Sequence, residues 1–313
     1  MNFTRPPYRP PVYIACVALA LVTNYLFGKE MAFDLLNYHL YAGFSAVHDR
    51  FGQDYFAAGP QSYFNPYVYL PFYALVSTGL PALAIASLLA AVHSIILCLT
   101  FELGVAVCPS DEGRMRAATG ICAVVLAYIN PILMQQIGSS FADITTAELV
   151  LAGWVLLAGA VRKPRVKPVI CAGLIIGVAC ALKLTNAVHA IAAFAVLLFL
   201  PLPPLGRLRQ GFIYGASLAI GFVIVAAPWS YRLERMFGNP LFPLLNNVFR
   251  SPEFTAEPLR HFRFIPDTLA EALWRPFAML EPMQMVHDEL RSPDHPLCDF
   301  RLPLAGDFFS SEE

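Results

Sequence analysis

The chain has 313 residues, 57% of them hydrophobic and 14% charged, with a formal net charge of -1 and a mean hydropathy of +0.57. Soluble domains carry about a quarter charged residues, so this composition excludes an ordinary soluble domain and fits a chain that crosses a membrane several times. The near-neutral balance leaves no basic footprint for nucleic acid. Seven cysteines without CxxC or metal-ligand spacing give neither a disulfide framework nor a zinc site.

Arg5 and Arg9 precede an apolar run from Val12 that imitates a signal peptide, but no small-residue cleavage site follows cleanly. An uncleaved first helix over 10–28 is therefore predicted. Further apolar runs predict spans near 82–107, 117–134, 143–161, 168–184, 186–202 and 210–230. The expected fold class is all-α, a polytopic transmembrane bundle of about seven spans. Its first outer loop, 28–66, carries interfacial helices, and a polar tail follows the bundle. The expected division is 1–230 for the transmembrane domain and 231–313 for an extracytoplasmic tail.

Orientation follows from the basic residues of short loops. Arg5/Arg9, Arg114/Arg116, Arg162/Lys163/Arg165/Lys167 and Arg207/Arg209 would all be cytoplasmic, with the N-terminus. Successive clusters must then be separated by even numbers of crossings. Residues 67–107 are too few for three crossings, so one long span near 82–107 is expected. An interfacial or re-entrant helix at 67–80, rich in Tyr and Phe, would precede it. Two crossings in this region is the alternative, and it would put Arg114 outside. The run 169–202 is too long for one helix, and a tight turn is predicted at Lys183-Leu-Thr-Asn186.

This arrangement puts four polar stretches on one side: loop 28–66, turn 135–142, turn 183–186 and the tail from 231. The loop concentrates Glu30, Asp34, Asn37, His39 and Asp54. From Asp34 the sequence DLLNYHLYAGFSAVH reads as an amphipathic helix lying in the interface plane. Asp34 is either its N-cap or a carboxylate facing a cavity, able to take a proton from an attacking hydroxyl. Asn37 and His39 follow on the same helix. His39 either binds a phosphate or hydroxyl or holds the loop by hydrogen bonds. Glu30 and Asp54 are candidate second carboxylates, without the spacing of a metal site.

Asp143, after Ser139-Ser140-Phe141-Ala142, stands at a helix N-terminus, where an acid caps or complements the dipole. Glu148 falls inside the following span, where acids are costly and often functional. Lys183 is either a fixed cation for a lipid phosphate or a lysine snorkelling to the interface. GNPLFP at 238–243 is a turn signal that either covers the site or redirects the chain.

The first-loop acid followed by spans with short connections, together with DLLNYHLYAGFS, QSYFNP, KLTN and GNPLFP, resembles bacterial members of the GT-C superfamily of membrane glycosyltransferases. The resemblance covers roughly residues 10 to 255. It implies a polyprenyl-phosphate-linked sugar donor, a glycan, lipid or protein acceptor, and inverting transfer on the outer face among membrane lipids. No cofactor or metal is implied. By this resemblance Asp34 is the catalytic base and Lys183, by position, the phosphate partner; Asn37, His39 and Asp143 join Lys183 as substrate-binding candidates from their own places in the loop and turn. The adjacent second acid of some members is absent. Relatives generally continue into further spans, so a C-terminally shortened member is expected. A lipid or small-solute transporter, or an inactive membrane protein, is the alternative; a transporter would favour charge near the midplane.

Overall fold

The computed structural model describes residues 8–28, 30, 32–48, 50, 52–257 and 265–278. Arg5, Cys298 and the tail beyond residue 278 lie outside them. In chain order the helices are α1 (Arg9–Phe27), α2 (Leu40–Val47), α3 (Leu70–Val76), α4 (Ala82–Val107), α5 (Gly113–Tyr128), α6 (Pro131–Gln136), α7 (Ala142–Arg162), α8 (Val166–Leu182), α9 (Ala187–Leu197), α10 (Pro204–Phe237), α11 (Asn246–Phe249) and α12 (Leu269–Ala278). A π-helical turn, Leu35–His39, leads into α2. The one extended stretch among the described residues is Ala57–Pro60.

Among the described residues, four helices are long and apolar enough to cross a membrane: α1, α4, α7 and α10. The chain reads on that basis as an integral membrane protein. The other three expected spans are shorter helices. Run 117–134 is divided at Asn130-Pro131, where the Asn130 side chain accepts from the backbone N–H of Ile132 at 2.9 Å and caps α6. Run 168–184 becomes α8, with 17 residues, and run 186–202 becomes α9, with 11. At about 1.5 Å per residue, the last two reach roughly 25 and 16 Å, against ~30 Å of hydrocarbon. Beyond α9 an irregular stretch carries Leu200 into the core beside Leu157 and Ala160.

Helices α1 and α4 run antiparallel. Asn24 Nδ2 donates to Ser87 Oγ at 3.3 Å near one end, and Arg9 grips Glu102 with two bonds of 2.7 Å near the other. Residues 28–81 therefore leave and re-enter the bundle at the same end. The short helix at 67–76 lies at that end, with Tyr69 against the start of α7.

The tightest seam joins α8 to α10. Lipid tails are as apolar as leucine, so helices in a bilayer associate through close packing of small residues. A Cβ on Gly177 would sit 2.2 Å from the Leu218 carbonyl oxygen, and one on Gly221 at 2.2 Å from that of Leu174. Nothing larger than glycine fits there. Outward-facing Ile14, Ile191, Phe199, Phe212 and Ile224 are exposed, as expected of side chains solvated by lipid.

Helix α10 is continuous across residue 230 and ends at Gly238, which takes the left-handed conformation of a helix C-cap. The GNPLFP turn that follows buries Phe242 against Phe237, with ring centroids 3.9 Å apart. Phe242 also meets Tyr63 and Phe56 of the first loop edge-on. This turn clasps the loop to α10. Trp229 reinforces the clasp, donating its Nε1–H to the Tyr63 carbonyl at 2.9 Å.

Candidate functional site

All four polar stretches meet at one end of the bundle. Loop 28–66 touches turn 135–142 through Glu30 and Ser140, α10 through Tyr63 and Trp229, and the tail through Tyr55, whose hydroxyl donates to the Glu253 carbonyl at 3.0 Å. Turn 183–186 joins α7 through Lys183 and Asp143, at 2.6 Å.

The centre of this end is His39. Closing the π-helical turn, the ring is fully buried. It stacks on Tyr69 with centroids 4.6 Å apart, while Tyr38 and Phe141 meet it edge-on. Its Nδ1 lies 2.7 Å from Ser140 Oγ. Ser140 is held in turn by Glu30: the backbone N–H donates to Oε2 at 2.7 Å and the hydroxyl to Oε1 at 3.2 Å. Burial and then the nearby Lys183 charge push the His39 pKa down to about 3, with Asp143 opposing, so the ring is uncharged at neutral pH. Its Nε2 is buried and has no hydrogen-bond partner among the described residues.

The serine is delivered by a glycine turn. Gly138 has φ of +81°, and a Cβ there would sit 2.3 Å from Asn24 Oδ1. Its N–H donates to Nδ1 of buried His93 at 3.2 Å. The turn is thereby pinned to both α1 and α4, which places Ser140 opposite His39.

Asp34 has helical backbone angles and its side chain makes no capping bond. Its Oδ2 accepts instead from the Tyr38 hydroxyl at 3.1 Å. Burial first, then the charges around it, hold the Tyr38 phenol well above its ordinary pKa, so it remains a donor. Asp143 is not the N-cap of α7, a position Phe141 holds, but it stands in the first turn, where an acid complements the helix dipole. It pairs with Lys183 in a bridge whose side chains are 49% and 31% exposed, open to an approaching anion. Asn37 is half-buried on the turn between Asp34 and His39.

Of the other candidates, Asp54 lies apart, closed in a two-bond bridge to Arg50 at 2.8 Å each. Glu148 is buried on α7, with Oε1 unpartnered among the described residues. No group of three or more metal-ligating side chains converges among the described residues. Ser140, Tyr38, Tyr69 and Phe141 take places around His39 that their sequence positions do not announce. By sequence Tyr69 belongs to an interfacial belt, and only the aromatic density of 67–73 hints at a platform for a ring.

The arrangement combines a carboxylate at a protected rim, a half-exposed cation and a neutral imidazole on an aromatic shelf. No family model, curated protein or solved structure matches this chain.

Proposed function

We propose that the protein is a membrane glycosyltransferase of GT-C type. It moves a sugar from a polyprenyl-phosphate donor to an acceptor on the extracytoplasmic face, with the N-terminus cytoplasmic in a bacterial inner membrane and about seven hydrophobic segments in the bundle. The observation that carries this reading is the gathering of Asp34, His39, Asp143 and Lys183 at one end of an apolar bundle. Such a transfer needs a base and an anion partner in the same place.

In this reading Asp34 takes the proton of the acceptor hydroxyl as the oxygen attacks the anomeric carbon. The bond from that carbon to the phosphate oxygen breaks, and its electron pair leaves with the polyprenyl phosphate. Attack opposite the leaving group inverts the anomeric centre. Lys183, oriented by Asp143, balances the charge growing on the phosphate. The Tyr38 hydroxyl fixes the Asp34 carboxylate.

The test is transfer of labelled sugar from a panel of polyprenyl-phosphate donors in membranes carrying wild type or Asp34→Asn. Asparagine keeps the size of the side chain and removes the base. Transfer by wild type that falls by about 10²–10⁴-fold in a well-inserted variant is the expected result. Equal transfer by both removes Asp34 from catalysis, and no transfer by either removes the glycosyltransferase reading.

A further inference from the structure

We infer that α12 is an interfacial anchor whose apolar face docks on the lipid of the bilayer that the bundle crosses, at the end where the polar stretches meet. The inference makes no use of the glycosyltransferase reading and stands or falls apart from it.

Helix α12 is two-sided. Leu269, Leu273 and Phe277 recur every fourth residue and share one face, and Trp274 lies at its border with the polar face. All four side chains are exposed, the least of them by 59%, so no described residue covers this face. The opposite face holds Glu271 and Arg275, closed on each other at 2.7 Å. The helix also starts by its own means. The Glu271 N–H donates to Thr268 Oγ1 at 3.1 Å, and Glu271 Oε2 accepts from the Asp267 N–H at 2.9 Å, a pairing of the capping-box kind. These bonds need no neighbour, yet a helix of 10 residues is marginal in water. It persists only when its apolar face is covered.

Three observations choose lipid as the cover. The bilayer is within reach: Phe254 is fixed at this end of the bundle, stacked on Phe56 with centroids 5.6 Å apart and edge-on to Phe242. From Phe254 to Leu269 the chain can span at most ~50 Å. The first loop, at the same end, already turns Phe33, Leu36, Leu40 and Val47 outward, a spacing that lays a helix along a membrane surface. Finally, the two charges of α12 are spent on each other, whereas a protein partner would be steered by charges left free. A lipid interface asks only for apolar area and an aromatic ring at headgroup depth. Trp274, stacked beside Phe277 at 5.2 Å, supplies that ring. Interfacial helices rich in Lys and Arg are drawn to anionic lipid; α12, without such an excess, docks regardless of lipid charge.

The experiment takes the full chain in nanodiscs and reads Trp274 as the difference between wild type and Trp274→Phe, since Trp154 and Trp229 are common to both. The quenchers are lipids brominated at shallow or deep acyl positions, and acrylamide in the water. The Trp274 signal should be quenched more by shallow bromine than by deep and shielded from acrylamide. The result should be the same in phosphatidylcholine and phosphatidylglycerol discs and at low and high salt. Leu269→Ser and Leu273→Ser should each lower the docked-to-free ratio by about tenfold, with the bundle melting as in wild type. Arg275→Gln, which opens the bridge and leaves the apolar face whole, should keep the bromine quenching.

A Trp274 open to acrylamide and untouched by bromine puts the helix in water and overturns the inference. One shielded from both is covered by protein and overturns it equally; discs holding a single copy then tell the chain's own cover from that of a second copy. Bromine quenching that requires anionic lipid, or that survives the double leucine substitution, overturns the apolar anchor as well.

Discussion

The two ends of the bundle treat their polar groups in opposite ways. At the end holding the basic residues, each described contact closes locally. Arg9 and the Tyr13 hydroxyl share Glu102, the latter bond at 2.5 Å. Arg116 donates to the Val105 carbonyl, Arg162 to that of Cys108 and Arg207 to that of Leu202. These side chains cap helix ends and answer exposed carbonyls, as basic groups at helix C-termini do. At the other end, the imidazole of His39 is walled in with one nitrogen unanswered, and the Asp143–Lys183 pair stays half open. An end that only needs to be stable satisfies itself, while one that leaves a buried ring nitrogen unanswered gives up stability.

Matched substitutions at the two ends should break or sharpen this contrast. Asp34→Asn should lower transfer by about 10²–10⁴-fold and hardly change thermal unfolding in detergent. Glu102→Gln should leave transfer intact and lower stability by about 1 kcal/mol, since the pair it breaks is partly exposed and screened. If Glu102→Gln lost transfer as Asp34→Asn did, the division between the ends would collapse. Lys183→Met should raise KM for a polyprenyl-phosphate donor by about tenfold through loss of a charged contact, whereas Arg162→Met should not alter KM. Steady-state kinetics at fixed acceptor separates the two.

Acid gives a third handle on the same contrast. The unfolded His39 titrates near 6.5, whereas burial and Lys183 lower it to about 3 in the fold. Between these values the unfolded chain binds the extra proton, so stability falls as pH falls through that window. Thermal midpoints of wild type should drop between about pH 6.5 and about pH 4, and His39→Asn should show a shallower drop. Parallel profiles for the two would place the acid sensitivity elsewhere. The smallest expected effect is that of Tyr13→Phe at the basic end, about 1 kcal/mol for one hydrogen bond, read by the same melting assay with transfer unchanged.

Much of the plan was legible in the primary structure, and the failures have physical causes. The apolar runs became helices close to their expected places, because helix formation follows local composition and the period of side chains. Runs 117–134 and 186–202, expected as single spans, hold the shorter helices α5 and α9, because hydropathy does not register helix termination. Asn130-Pro131 starts a new helix by capping, and the stretch past Leu197 unwinds before Pro203. At the site, Asp34, Asn37, His39, Asp143 and Lys183 were visible as polar residues in greasy surroundings. The capping roles considered for Asp34 and Asp143 were reasonable for acids at helix starts, and the backbone uses neither of them.

The sequence by itself determined that this is a helical chain whose apolar segments suit a membrane, and which of its stretches stay polar, since both follow from short-range composition. The tertiary structure alone decided that Ser140 sits between Glu30 and His39, about a hundred residues from each, and that Asp143, in the first turn of α7, pairs with Lys183. Those pairings depend on close packing that no local window contains. Gly138 must pass against Asn24, and α8 must seat against α10 through Gly177 and Gly221, before the polar end exists.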